Sequence, residues 1–163
     1  MLTIYLHYGL LIALAIALVF AAFTDIRSRT ISNKLNIAIA VAAPVFWWTS
    51  GLALCPDVAI QLGVAAAVFA VLCGLFAAGL MGGGDVKLLT ALALWIAPGA
   101  FMQLLVIMAV AGGVLTIVMA AWHFLQNQKE RLAIPYGVAI AFGGLWVLAS
   151  NYLPASAHAA LAG

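Results

Sequence analysis

"GLMGGGDVKLL", residues 79–89, sets an aspartate and a lysine directly behind three glycines, between two runs of membrane-grade apolar sequence. The whole chain of 163 residues holds only four acidic residues. A glycine-rich bend carrying one of them is a solvated turn, a phosphate cradle, an ion site or a proteolytic centre. Choosing among these requires locating the membrane.

The composition locates it. With 68% hydrophobic and 6% charged residues and a mean hydropathy of +1.26, the chain carries more apolar surface than a soluble domain of this length can bury. Its solvent is therefore largely lipid. The length fits one compact unit, a single transmembrane domain over residues 1–163, with the lipid bilayer as a partner. No basic run or aromatic–basic interleaving points to nucleic acid. Cys55 and Cys73 would stand roughly 27 Å apart on a continuous helix, beyond disulfide reach. With no CxxC pair and with His7, His123 and His158 scattered, no metal site is expected. The first apolar run lacks a basic leader and reaches the length of a full span, so it reads as a retained helix.

Six apolar segments follow from length and punctuation: residues 4–23, 35–49, 58–80, 86–97, 100–124 and 134–153. The expected fold is all-α, a polytopic bundle of six transmembrane helices. The breaks "SGLALCPD", "MGGGD", "APG" and "NQKER" supply the glycine, proline and charge of turns. Arg27, Arg29 and Lys34 follow segment one, Lys87 follows segment three, and Lys129 and Arg131 follow segment five. All six basic residues thus fall in alternate connections. By the positive-inside rule that face is cytoplasmic, and both termini lie opposite.

This topology brings Asp25 and Asp85 to one face. Asp57 falls at a helix start on the other face and reads as a cap; Glu130, between Lys129 and Arg131, reads as a solvated loop charge. Segment four is too short: about twelve residues give roughly 18 Å of helix against a hydrocarbon core of about 30 Å. Either its "APG" end or its "GGGD" end is recessed. The second option would sink Asp85 below the headgroups, where a carboxylate is expensive and marks a functional site by default.

Gly82, Gly83 and Gly84 permit backbone angles closed to other residues and let another chain approach closely; they also fit a plain flexible turn. A phosphate cradle is disfavoured, because the GxxxxGK spacing is absent and Asp85 would repel an anion. Asp25 alone could be a juxtamembrane acid paired with Arg27 or Arg29. Two carboxylates sharing a site, however, cannot both ionise cheaply, so one keeps a proton. The charged one can take a proton from water, and the protonated one can donate to a leaving amine.

"GGGDVKLL" resembles the GxGD motif of the type IV prepilin peptidases, which are polytopic aspartic proteases. "DIRSRTISNKLN" resembles their first-aspartate region, and "IPYGVAIAFGGL" their final helix. The resemblance implies catalytic roles for Asp25 and Asp85, an active-site loop of Gly82, Gly83 and Gly84, and no cofactor. The implied substrate is a prepilin or pseudopilin whose basic leader is cut at the cytoplasmic face of the bacterial inner membrane. Ser32 stands where the family usually has proline, which loosens a turn but removes no catalytic group. The cytoplasmic region with paired CxxC motifs, carried by members that also methylate the new N-terminus, is missing. The compact form is similar to the peptidases of tight-adherence (Flp) pili, which implies peptidase activity alone.

Lys87 either orients a substrate carbonyl or carboxylate or snorkels to the interface. Arg27 either tunes the acid pair or only follows the topology. Asn33 holds the first-aspartate loop, contacts substrate or caps segment two. His123 reads as an interfacial residue, and Gly112–Gly113 and Gly143–Gly144 as sites of close helix packing. The rival readings are a small ion- or proton-coupled transporter using the same two aspartates, and a non-catalytic assembly factor. No acid lies near the middle of a span and no inverted halves are evident, which speaks against transport.

Overall fold

The computed structural model describes residues 2–125 and 135–153. Within them the chain is all-helical: α1 (Leu2–Ser28), α2 (Asn33–Thr49), a π-helical turn (Leu54–Val58), α3 (Ala59–Ala77), α4 (Gly83–Ala93), α5 (Pro98–Leu125) and α6 (Tyr136–Asn151). Six α-helices stand where six apolar segments were expected. Leu2–Ser28, Leu54–Ala77 and Pro98–Leu125 are long and apolar enough to cross a membrane; α2, α4 and α6 are shorter. The "NQKER" connection with Lys129, Glu130 and Arg131, the first residue of segment six, and His158 lie outside the described residues.

Helix α6 packs between α1 and α5, α1 also packs on α2, and α4 touches α2, α3 and α6. The shortest helix is therefore the core. Leu88, Leu89 and Leu92 on α4 are fully buried. The outer faces are apolar too: Ile12, Ile16 and Val19 on α1, and Val106, Val110 and Ile117 on α5, are all more than half exposed. Apolar residues both inside and outside suit a bundle whose solvent is lipid.

Ending α4 after 11 residues frees carbonyls that must find donors away from water. Gln61, in the first turn of α3, donates to the carbonyls of both Ala93 and Ile96 at 2.7 Å. Trp47 Nε1 donates to Leu94 O at 2.6 Å. Tyr152 Oη accepts from the Ala97 amide at 3.0 Å, and Trp95 Nε1 donates to Ile39 O at 2.8 Å. At the other end of α4, a Cβ on Gly83 would lie 3.3 Å from the Phe76 ring, in the last turn of α3. Helix α4 thus runs beside α3 from its last turn to its first.

The glycine pairs are close-packing sites with one exception. A Cβ on Gly143 would lie 3.0 Å from Leu104 O, one on Gly144 2.9 Å from Leu18 Cδ1, and one on Gly112 3.4 Å from the Tyr136 ring. Gly113 faces open space, so only Gly112 of its pair brings helices together. Asp57 is a cap as expected, its Oδ2 accepting from the Ala53 amide at 3.1 Å. Cys55 and Cys73 are free thiols.

Candidate active site

The buried residues of α1 are Leu11, Leu14, Leu18, Ala21 and Asp25. Their alternating spacing of three and four is one helical face, and Asp25 is its last member, 6% exposed. The helix stops three residues later. Arg29 takes a left-handed conformation, φ 53°, and its charge acts on Asp25. Ser32 does more than loosen the turn: its Oγ accepts from the Lys34 amide at 3.2 Å and caps α2. The cap of α2 is therefore Ser32 and not Asn33.

Asp85 sits in the first turn of α4, half-buried and just ahead of that helix's apolar run. The Gly82 amide donates to its carboxylate, as an acid at the third helical position does for the residue before a helix. Burial first, and then the charge of Asp25, push the Asp85 carboxyl up to about 6, against the opposing pull of the Gly82 amide. The two acids thus share one electrostatic site.

Of the two causes expected for the glycine triad, close approach holds and special backbone angles do not. None of Gly82, Gly83 and Gly84 has a positive φ; in this connection only Gly79 does, at 72°. The triad supplies space instead. A Cβ on Gly82 would lie 3.0 Å from Asp85 Oδ2, and one on Gly84 would lie 3.3 Å from Ile31 Cβ and 3.4 Å from Ile31 N. The turn after α1 packs onto the start of α4 at that point, which holds the two acidic segments together.

Side chains reinforce this contact. Lys87 Nζ donates to Asn33 Oδ1 at 2.8 Å, so Lys87 is bonded within the protein rather than only reaching for the interface. Asn36 is 4% exposed, and its Nδ2 reaches Gly84 O at 3.5 Å. Arg27 is exposed in the last turn of α1, where a cation suits the helix dipole. Arg27, Arg29, Lys34 and Lys87, the four described basic residues, therefore gather at one end of the bundle.

Helix α6 completes the site. No side chain of its own caps it; instead the Gly137 amide donates to Asp25 Oδ2 at 2.8 Å. A Cβ on Gly137 would lie 2.8–3.0 Å from three atoms of the Asp25 side chain, so only glycine leaves room for this carboxylate. Two carboxylates from different helices, each accepting from a main-chain amide, can divide acid and base work on a water molecule when one of them holds a proton.

A model of the type IV leader peptidase family matches residues 12–117. The chain belongs to that family. The matched stretch contains Asp25, Ser32, Asn33, the three glycines, Asp85 and Lys87, and leaves Gly137 outside. Neither a curated protein nor a solved structure matches the chain significantly. Membership makes the chain a peptidase, and the family is membrane-embedded, as its apolar helices also suggest.

Gly137 and Asn36 were not singled out from the sequence of this leader peptidase. Gly137 lies within "IPYGVAIAFGGL", where the missing side-chain cap at the start of α6 was the available signal. Asn36 lies four residues beyond Ser32, a polar residue on the buried face of an otherwise apolar helix.

Proposed function

We propose that the chain is a membrane-embedded aspartic endopeptidase, with Asp25 and Asp85 as its dyad. It removes the basic leader of type IV, Flp-like prepilins or pseudopilins at the cytoplasmic face of the bacterial inner membrane. One observation carries this reading: in a leader peptidase chain, the turn that follows Asp25 packs at Ile31 against Gly84, the residue before Asp85, so two acids sixty positions apart belong to adjoining segments. The ionised carboxylate takes a proton from water as the water oxygen bonds to the scissile carbonyl carbon. The protonated carboxyl then gives its proton to the amine as the C–N bond breaks, and the dyad returns to a single shared proton. The pair titrates as a unit, so neither acid is assigned a fixed role.

In this reading all six helices cross or enter the bilayer, with the basic residues on the cytoplasmic side and both termini opposite. The enzyme cuts without methylating, because the CxxC-bearing region is absent from the connection after segment one. The deciding experiment is processing of a prepilin leader–helix peptide by purified protein, with S-adenosylmethionine supplied. A shortened, unmethylated product in the mass spectrum is expected. A methylated product overturns the single-function reading. No product, together with proton-dependent flux in liposomes, would put the transporter in its place.

A further inference from the structure

A groove of about 370 Å³ runs between α2, α3 and α4, with Asn33, Asn36 and Lys87 toward one end and Ala40, Phe69 and Leu94 along its apolar length. From Lys87 to Leu94 it follows α4 for about two turns, roughly 10 Å. Its polar end adjoins the acid pair, since Asn36 contacts the carbonyl of Gly84, the residue before Asp85. Asn36 Oδ1 is buried and has no hydrogen-bond partner among the described residues. A buried carbonyl oxygen without a donor is costly to keep, and such atoms are rare.

We propose that this groove seats the first two turns of the apolar helix that follows the cut in the substrate, with Asn36 Oδ1 accepting one of its main-chain N–H groups. This rests on the peptidase reading. The first four N–H groups of any helix lack partners within it, and an Asn side chain is among the preferred acceptors for them. A helix that begins at the cut site brings those donors to the polar end of the groove and its apolar face to Ala40, Phe69 and Leu94. A lipid acyl chain would fill the same apolar length but offers no donor to Asn36. The chemistry of the groove therefore favours a peptide that is polar at its start and apolar beyond it.

The test uses the full chain in detergent or liposomes and a synthetic peptide with a basic leader, a glycine and an apolar helix. A photo-crosslinking residue at position 40 of an Asp85→Asn protein should attach to the first two turns after the cut site. In the otherwise native enzyme, Ala40→Trp should raise KM about tenfold or more while leaving kcat nearly unchanged, the pattern of lost uniform binding. Asn36→Leu should also raise KM in samples matched for folded protein, since it removes the contact to Gly84 O together with the unpaired acceptor. If the native enzyme cuts the peptide but the crosslinker captures only lipid, or Ala40→Trp leaves KM unchanged, the groove is an acyl-chain site and the proposal fails. If the native enzyme cuts nothing, the peptidase reading falls and the groove assignment falls with it.

Discussion

The amide of Gly137 donates to Asp25 Oδ2 at 2.8 Å across 112 positions of sequence. The carboxylate of α1 thereby serves as the N-terminal cap of α6, and it accepts from the second helical residue as an ordinary capping side chain does. Asp25 thus carries a structural load as well as the proposed chemical one, and substitutions can separate the two. Asp25→Asn keeps an accepting oxygen and should leave the melting temperature nearly unchanged while abolishing prepilin processing. Asp25→Ala should lose processing and, in addition, about 1 kcal/mol of stability, the usual cost of a lost cap. Processing by Asp25→Asn at near-native rate would remove Asp25 from the dyad.

Gly137→Ala tests the same contact from the other side. The added methyl would meet Asp25 Oδ2 at 2.8 Å and Cγ at 2.9 Å, so the carboxylate must move. Overpacking of this kind costs about 1–3 kcal/mol, and processing should fall at least tenfold in samples matched for folded protein. Native activity in the Gly137→Ala variant would show that the observed position of Asp25 is not the working one.

Asp85 gives the pH dependence its sign. Its carboxyl is raised from 3.8 to about 6 in the folded protein, so between these values the folded state binds more protons than the unfolded state. Stability contributed by this group is present at low pH and is lost as pH rises through about 6. Asp85→Asn should therefore be more stable than the native protein at pH 7–8, with the difference vanishing as pH falls towards 4. Thermal melts across that range check it; a gain independent of pH would mean that the ionised carboxylate is not the source of the strain. Processing should be abolished throughout, and the double Asp→Asn variant should be little worse than either single one, because groups acting as a unit are non-additive.

Two glycines of the same connection should fail in different ways. Gly79 has φ 72° and open space around it, so Gly79→Ala should cost about 1–2 kcal/mol through the backbone alone, with activity per folded molecule retained. Gly84 needs room rather than a special angle, and Gly84→Val presses on Ile31 where the two acidic segments meet. That variant should lose processing even in the fraction that folds. Equal loss of activity in both would refute the distinction.

Gln61→Leu should destabilise the protein by about 1–3 kcal/mol, the cost of stranding buried carbonyls, while leaving KM and kcat of the folded enzyme close to native. Its two acceptors, Ala93 O and Ile96 O, lie at the end of α4 away from Asp85. A selective fall in kcat would mean that the two ends of α4 are coupled more tightly than the packing implies.

Most of the architecture was legible because it follows from apolar run length. The six segments match the six helices within five residues at every described end, and the buried stripe of α1 ends on Asp25 at the helical spacing of its neighbours. The acid pair was legible because so few charges exist to compete with it. What escaped was contact between distant segments. No local pattern says that Gly137 faces Asp25, or that Gln61 closes the end of α4. The triad was half legible: its backbone angles are ordinary, while the expected close approach is there, made by Phe76 at Gly83 and, more than fifty positions away, by Ile31 at Gly84.

The fastening of α4 is lopsided. Gln61, Trp47 and Tyr152 grip the chain where the helix ends, whereas its first turn is held by the Lys87–Asn33 bond and the long Asn36–Gly84 contact. A rigid rod gripped at one end moves most at the other. Close packing supplies what those bonds do not: Leu88 and Leu89 are fully buried just beyond Asp85, and Gly84 lies against Ile31, so Asp85 keeps its place through its neighbours' shapes. The carboxylate on α1 is instead pinned to the amide of α6. The two acids are thus seated by unlike means, one by a main-chain donor from another helix and the other by the fit of its own.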